Sequence, residues 1–271
     1  MNLPNYFLAD LPPEAELTAV LITEACQTLK RNRERFLEGR TTENMLGLLD
    51  RLGREWLSDN SPFRQAVLQA GPAQTGFSVQ VLAAGLDRFF KQLTVENLKS
   101  LLRQELGHPG RLDSFFPNEE EGRPSRVAMA FGPPLLAHIA PGNVPAPVLT
   151  EMVLGLLTRS AQFVKCASGG ALVPLMFAHS IYEADRKLGA CLEIAVWRGG
   201  AETLESALFA EADCIVATGS DETLAAIRHH YYRGLMKLRE FISSSKSLQN
   251  AESSEAERVS LEVAHLKPRP I

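Results

Sequence analysis

The stretch Leu135-Leu-Ala-His-Ile-Ala-Pro-Gly-Asn-Val-Pro-Ala-Pro-Val-Leu149 decides how this chain folds. It lies within a run from Val127 to Thr150 that holds no Asp, Glu, Lys or Arg. On length alone that run meets the ~20 residues a membrane-spanning helix needs. Pro133, Pro134, Pro141, Pro145 and Pro147, with Gly132 and Gly142, break any continuous helix through it. The apolar residues must instead be buried in a soluble fold, as strands and turns. The spacing predicts strands over Val127–Phe131 and Leu135–Ala140, a turn, and a helix from Pro145 to Thr158.

Downstream, the same alternation continues. A strand is predicted at Gln162–Lys165, a helix at about Val173–Leu188 and a strand at Cys191–Val196. A helix at Glu202–Phe209, a strand at Asp213–Thr218 and a helix from Asp221 to about Arg228 follow. Apolar strands alternating with helices of this length signal parallel βαβ units covered on both faces. Upstream, from about residue 12 to 106, the period is helical. Leu17, Val20, Leu21, Ala25 and Leu29 recur at three- and four-residue steps, as do Met45, Leu48, Leu49, Leu52 and Trp56. Further helices are expected over Pro62–Ala70, over Phe77–Leu93, and from a cap at Thr94 to near Gly107. A Gly, Pro and Asn-rich stretch with Glu119-Glu-Glu121 then reads as a linker or surface loop.

The expected fold class is α/β: an N-terminal helical region followed by an open parallel, Rossmann-like sheet. The expected division is 1–124 for the helical region and linker, 125–229 for a nucleotide-binding αβ domain, and 230–271 for a tail. Tyr231–Ile242 is compatible with one amphipathic helix. The polar Ser243-Ser-Ser-Lys-Ser and Ala251-Glu-Ser-Ser-Glu-Ala-Glu segments carry too little apolar surface to offset the entropy of ordering, so a largely disordered tail is expected.

Composition excludes several functions. The 28 Lys and Arg against 32 Asp and Glu leave a formal charge of −4, with no basic block, so no nucleic-acid footprint is read. Cys26, Cys166, Cys191 and Cys214 show no C-x-x-C spacing, and each sits in an apolar stretch, as buried reduced thiols do. His108, His138, His179, His229, His230 and His265 are scattered, so no metal is expected. The start MNLPNYFLAD lacks the pattern of a secretory signal, and a cytoplasmic protein without a membrane span is expected.

In an open parallel sheet, ligands bind where strands end and helix N-termini begin. The loops so placed are Pro141-Gly-Asn-Val-Pro145, Lys165-Cys-Ala-Ser-Gly-Gly170, Trp197-Arg-Gly-Gly200 and Thr218-Gly-Ser-Asp221. Neither G-x-G-x-x-G, G-x-x-x-x-G-K-[ST] nor G-x-S-x-G occurs. Together with His138-Ile-Ala-Pro-Gly-Asn-Val-Pro145, Phe163-Val-Lys-Cys-Ala-Ser168 and Ala212-Asp-Cys-Ile-Val-Ala-Thr-Gly-Ser-Asp-Glu-Thr223, these loops resemble the acyl-CoA reductase family. Those enzymes supply fatty aldehyde in bacterial luminescence and form a branch of the aldehyde dehydrogenase superfamily. The likeness runs from about Trp56 to Arg228 and includes Thr75-Gly-Phe-Ser78 and Gly85-Leu-Asp87.

The resemblance implies roles position by position. Asn143 matches the asparagine that stabilises the oxyanion formed when a thiolate adds to a thioester; losing such a donor costs about 3–4 kcal/mol in related acyl-transfer chemistry. Asn143 could equally cap the helix opening at Pro145. Lys165 matches the lysine that reaches the cofactor's adenosine ribose. NAD-preferring relatives carry a glutamate three positions later, where this chain has Ser168. A hydroxyl tolerates a 2′-phosphate that a carboxylate would repel, so NADPH is the expected cofactor. Arg198 would add a second positive contact, or serve as a solvated loop cation. Gly199 and Gly200 allow close backbone approach or turn the chain. Gly219 and Ser220 match the phosphate-contacting turn, and Ser220 also suits a helix N-cap.

The family's acyl-carrying cysteine lies in a later catalytic domain, and no cysteine follows Cys214. Cys166 sits beside Lys165, and a nearby cation lowers a thiol's pKa, yet Cys166 aligns with a cofactor-loop position rather than the nucleophile. The resemblance therefore implies the cofactor half of a reductase acting on acyl-CoA or another acyl thioester. The alternative is a non-catalytic nucleotide-binding or interaction module. A homo-oligomer or a partner subunit is compatible with either.

Overall fold

The computed structural model describes residues 4–12, 14–117, 127–142 and 146–229. Five helices precede the sheet: α1 (Ala19–Asn32), α2 (Thr42–Leu57), α3 (Pro62–Thr75), α4 (Val79–Phe90) and α5 (Val95–Leu106). Each opens on a hydroxyl cap. Thr18, Thr41, Ser61, Ser78 and Thr94 each accept a hydrogen bond from the backbone N–H three residues on, satisfying a donor the helix itself leaves unpaired. Gly107, left-handed at φ 75°, stops α5 where the sequence places its end.

Two short strands, β1 (Phe116–Pro117) and β2 (Val127–Ala128), pair antiparallel as a small ribbon apart from the main sheet. This corrects the expected buried strand at Val127–Phe131. Val127 is 54% and Phe131 76% exposed, and only the first two of those five residues form a strand.

The main sheet is parallel throughout. It is built from β3 (Leu135–Ile139), β4 (Ala161–Cys166), β5 (Leu192–Val196) and β6 (Cys214–Ala217), and its order is β5-β4-β3-β6. Counted along the chain, the strands lie third, second, first, fourth, the order of the first four strands of a dinucleotide-binding sheet. The sequence reversal falls between β3 and β6. The connecting helices are α6 (Ala146–Leu157), α7 (Leu172–Ala184), the four-residue α8 (Arg186–Gly189) and α9 (Glu202–Glu211), with helical backbone again at 221–229. The predicted helix over 173–188 breaks at Asp185, whose carboxylate accepts from Leu188 N to start α8 and pairs with Arg40 at 2.7 Å.

Strand residues alternate between two cores. On one side Leu135, Ala137, Ile139, Phe163 and Ala195 pack with Ile22 and Cys26 of α1 and Leu208 of α9. On the other, Val164, Cys166 and Ile194 pack with α6 and α7, and this core runs on into α2–α5. Trp56 of α2 joins the layers: it stacks on Phe90 at 4.6 Å, and its indole N–H donates to Ser180 of α7 at 2.9 Å. Arg159, just past α6 and left-handed at φ 57°, donates to the Arg40 and Leu112 carbonyls, to Thr42 and to Asp113. Its own carbonyl accepts from Arg33. The N-terminal segment docks as well. Tyr6 stacks on Tyr182, Asp10 bonds His179 at 2.9 Å, and Leu8 N donates to Glu193 of β5.

Candidate functional site

Parallel register brings the four strand ends to one edge. Ala140 N donates to Lys165 O, Trp197 N to Cys166 O and Thr218 N to Ile139 O, so the loops after β3, β4, β5 and β6 emerge side by side. The first two nearly touch. A Cβ on Gly170 would lie 3.2 Å from Gly142 O and 3.3 Å from Pro141 O, tighter than most residues tolerate. Asn143, expected as the oxyanion donor, lies outside the described residues, as does everything beyond residue 229.

Lys165 sits at the end of β4, 5% exposed, its ammonium 5.9 Å from the Trp197 ring centre. Burial lowers its pKa, and the opposite charge of Glu205 works against that shift. The Trp197 indole N–H is buried without a hydrogen-bond partner among the described residues. Glu205 of α9 accepts from Gly200 N at 3.0 Å, so it pins the glycine turn and faces the lysine at once. Sequence reading missed Glu205, because its electrostatic influence on Lys165 crosses from one strand's end to a helix further along the chain. The Trp197–Gly200 loop, one helical turn away along the chain, was the available signal.

Ser168, Arg198, Gly199 and Gly200 are exposed at the mouth of this edge. No atom lies within 4 Å of where a Cβ on Gly199 or Gly200 would stand, and Gly200 has φ 87°. Ser220 takes the cap position: its hydroxyl accepts from Thr223 N at 3.3 Å and meets Thr223 Oγ1 at 3.1 Å. Gly219 is exposed beside it, just before the helical backbone over 221–229. This edge thus brings together a buried cation, small residues and a capped helix terminus.

None of the cysteines is poised as a nucleophile. Cys26, Cys166 and Cys191 are buried. Desolvation pushes the Cys166 and Cys191 thiols up to about 12 and raises Cys214, so at Cys166 burial outweighs the neighbouring lysine. Among the described residues no cluster of His, Cys, Asp and Glu could hold a metal ion, and no helix is long and apolar enough to cross a membrane.

Residues 37–238 match the family described as acyl-CoA reductase (LuxC). The chain belongs to this family. Among curated relatives, the long-chain acyl-protein thioester reductase of Vibrio harveyi is 23% identical over 199 residues, 72% of this chain and 41% of that protein. The protein of the same name from Photorhabdus luminescens is 22% identical over 191 residues, 69% of this chain and 39% of that one. The chain thus spans about two fifths of the length of these relatives. Among solved structures, a putative aldehyde dehydrogenase, PutA, from Anabaena variabilis superposes with TM-score 0.63 at 17% identity, over 82% of this chain and 44% of that one. Betaine aldehyde dehydrogenase of Staphylococcus aureus in complex with NAD+ gives 0.62 at 15% identity, over 81% and 42%. Glyceraldehyde-3-phosphate dehydrogenase GapN of Methanocaldococcus jannaschii complexed with NADP gives 0.60 at 13%, over 85% and 49%. At these identities the likeness establishes the aldehyde dehydrogenase-type fold, matching the expected α/β class.

Proposed function

We propose that this chain is the NADPH-binding part of a cytoplasmic reductase that converts a long-chain acyl thioester, acyl-CoA, to the fatty aldehyde. Family membership and the printed activity of the relatives support the reaction; solved neighbours bound to NAD+ and NADP support a nicotinamide cofactor. The observation that carries the cofactor reading is Lys165, a cation buried at a strand end beside an aromatic face, with Ser168 rather than a carboxylate three residues on. The residues present fit the group. Lys165 and Arg198 would balance a 2′-phosphate, Ser168 would donate to it, and Gly199 and Gly200 would admit the dinucleotide close to the backbone. Ser220 and the N–H groups beside Gly219 would meet the pyrophosphate. Glu205, the nearby carboxylate, is committed to the Gly200 amide, which keeps one of its oxygens from the ribose.

When bound, NADPH supplies the hydride that displaces the thiolate from the acyl carbon, and the thiolate takes up a proton. Asn143 is proposed to donate to the oxyanion. With Cys26, Cys166 and Cys191 buried, the Cys166 and Cys191 thiols pushed up to about 12 and the Cys214 thiol raised, this chain leaves the acyl-carrying thiol to a group other than its four cysteines. That same observation favours a second reading, a nucleotide-binding module without turnover of its own.

The test is fluorescence titration of the purified chain with NADPH and NADH, alongside aldehyde detection with a long-chain acyl-CoA. Saturable NADPH binding, weakened about tenfold by Lys165→Ala with a smaller loss for NADH, is expected. Absence of saturable binding by either dinucleotide refutes the cofactor reading. Aldehyde formation by the chain alone, abolished by Asn143→Ala, refutes the module reading.

A further inference from the structure

The turn that leaves β6 is gripped by a buried polar chain that none of the roles above uses. Thr218 Oγ1 donates to Glu151 Oε1 of α6 at 2.8 Å. The other carboxylate oxygen, Oε2, faces Nδ1 of His138 on β3 at 3.5 Å, and both atoms are buried without a hydrogen-bond partner among the described residues. On the far side of the ring, Nε2 lies 2.9 Å from Gln162 Oε1, and Gln162 Nε2 donates to the Met152 carbonyl at 3.0 Å. Gly155 makes this possible: a Cβ there would sit 2.4 Å from the Gln162 amide carbon.

These contacts fix the donors in turn. The Gln162 nitrogen must face a carbonyl, so its oxygen faces His138, and His138 Nε2 must carry a hydrogen. Nδ1 then meets the carboxylate in one of two ways. Without a second ring proton its lone pair faces anionic oxygen; with one it forms a charge-assisted pair.

We infer that Glu151 is a positioning residue: it holds Thr218, and with it the Gly219–Ser220 backbone, in the register the dinucleotide needs. This rests on the reading of the 218–220 turn as a cofactor contact. The surroundings leave the pair isolated. α6 contains no other ionisable residue. β4 offers Val164 in register with His138 and the neutral Cys166 thiol, while Lys165 belongs to the opposite face with Trp197. β6 aligns Val216 with His138. Of the helices packed on α6, α2 directs Arg51, Arg54 and Glu55 to solvent, pairs Glu43 with Lys99 and Asp50 with Arg54, and α7 gives His179 to Asp10 and Glu183 to Tyr6.

Two measurements on the full chain test this: hydrogen exchange of backbone amides 217–224 and NADPH affinity, both at pH 7. Glu151→Ala removes the acceptor for Thr218 and loses about tenfold in each, and Glu151→Gln, which keeps an acceptor, restores most of both. Thr218→Val loses about tenfold in each, and Thr218→Ser, which keeps the hydroxyl and the fold, restores both. Wild-type protection and affinity in Thr218→Val or in Glu151→Ala overturns the inference. If the exchange pattern appears without any dinucleotide binding, the cofactor reading of the turn fails while the grip of Glu151 stands.

Discussion

Replacing Glu193 by Gln should stabilise the protein, by an amount that grows as pH rises from about 4.5 to 7. Glu193 lies on β5, half-buried, and its Oε1 accepts from Leu8 N at 2.7 Å and Ile194 N at 3.0 Å. Burial, with a smaller push from Asp10, raises its carboxyl from 4.5 to about 7, against the lowering effect of those two amides. A folded-state value above the unfolded one means the native protein holds the proton more tightly. The penalty is therefore absent below about pH 4.5, grows as pH rises, and is complete above about 7. At about 1.4 kcal/mol per tenfold change in proton affinity, the shift amounts to about 3 kcal/mol, and partial exposure reduces this to about 2 kcal/mol. Glutamine keeps the acceptor for both amides and cannot ionise. Urea unfolding of both proteins at pH 4 and pH 8.5 should give equal stabilities at the lower pH and an advantage of about 2 kcal/mol for Glu193→Gln at the higher. Because other groups titrate alike in both proteins, the difference between them isolates this site. A variant with the wild-type pH slope, or one less stable at pH 8.5, refutes the reasoning.

Arg159→Met removes donors from two carbonyls, Thr42 and Asp113; with Asp113 partly exposed, a loss of about 3 kcal/mol in urea unfolding is expected, and one below 1 kcal/mol contradicts the assigned network. Because their thiols are buried and held protonated, Cys166 and Cys191 should escape a disulfide reagent at pH 8 in the native protein and react in denaturant; prompt native labelling of either would contradict the packing.

Much of the fold was legible because its causes are local. Thr94 and Gly107 announce the two ends of α5 by side-chain capping and by left-handed backbone, both properties of single residues. The alternation of apolar strands with helices located all four parallel strands to within a residue or two. The apolar run at Val127–Phe131 misled because, without a period, exposure and burial look alike in sequence; its partner proved to be the distant Phe116–Pro117. Lys165, Ser168, Arg198, Gly199, Gly200, Gly219 and Ser220 were named from motifs, and their shared edge follows from parallel register. Glu205 and the His138, Glu151, Gln162 chain were not legible. They meet only when a helix is laid across neighbouring strands, and no spacing along the chain encodes that contact. The role of residues 4–12 escaped for the same reason: Asp10 and Leu8 find His179 and Glu193 across more than 160 positions.

β6 has β3 on one side and no strand on the other among the described residues, and all four of its residues are only partly buried. A strand paired on one side only keeps a second row of amides and carbonyls that another extended backbone can join. That row is where a strand from a second copy would add to the sheet in concentrated solution. Light scattering should grow with protein concentration, and a charged residue or proline on that margin should act as a colloidal stabiliser.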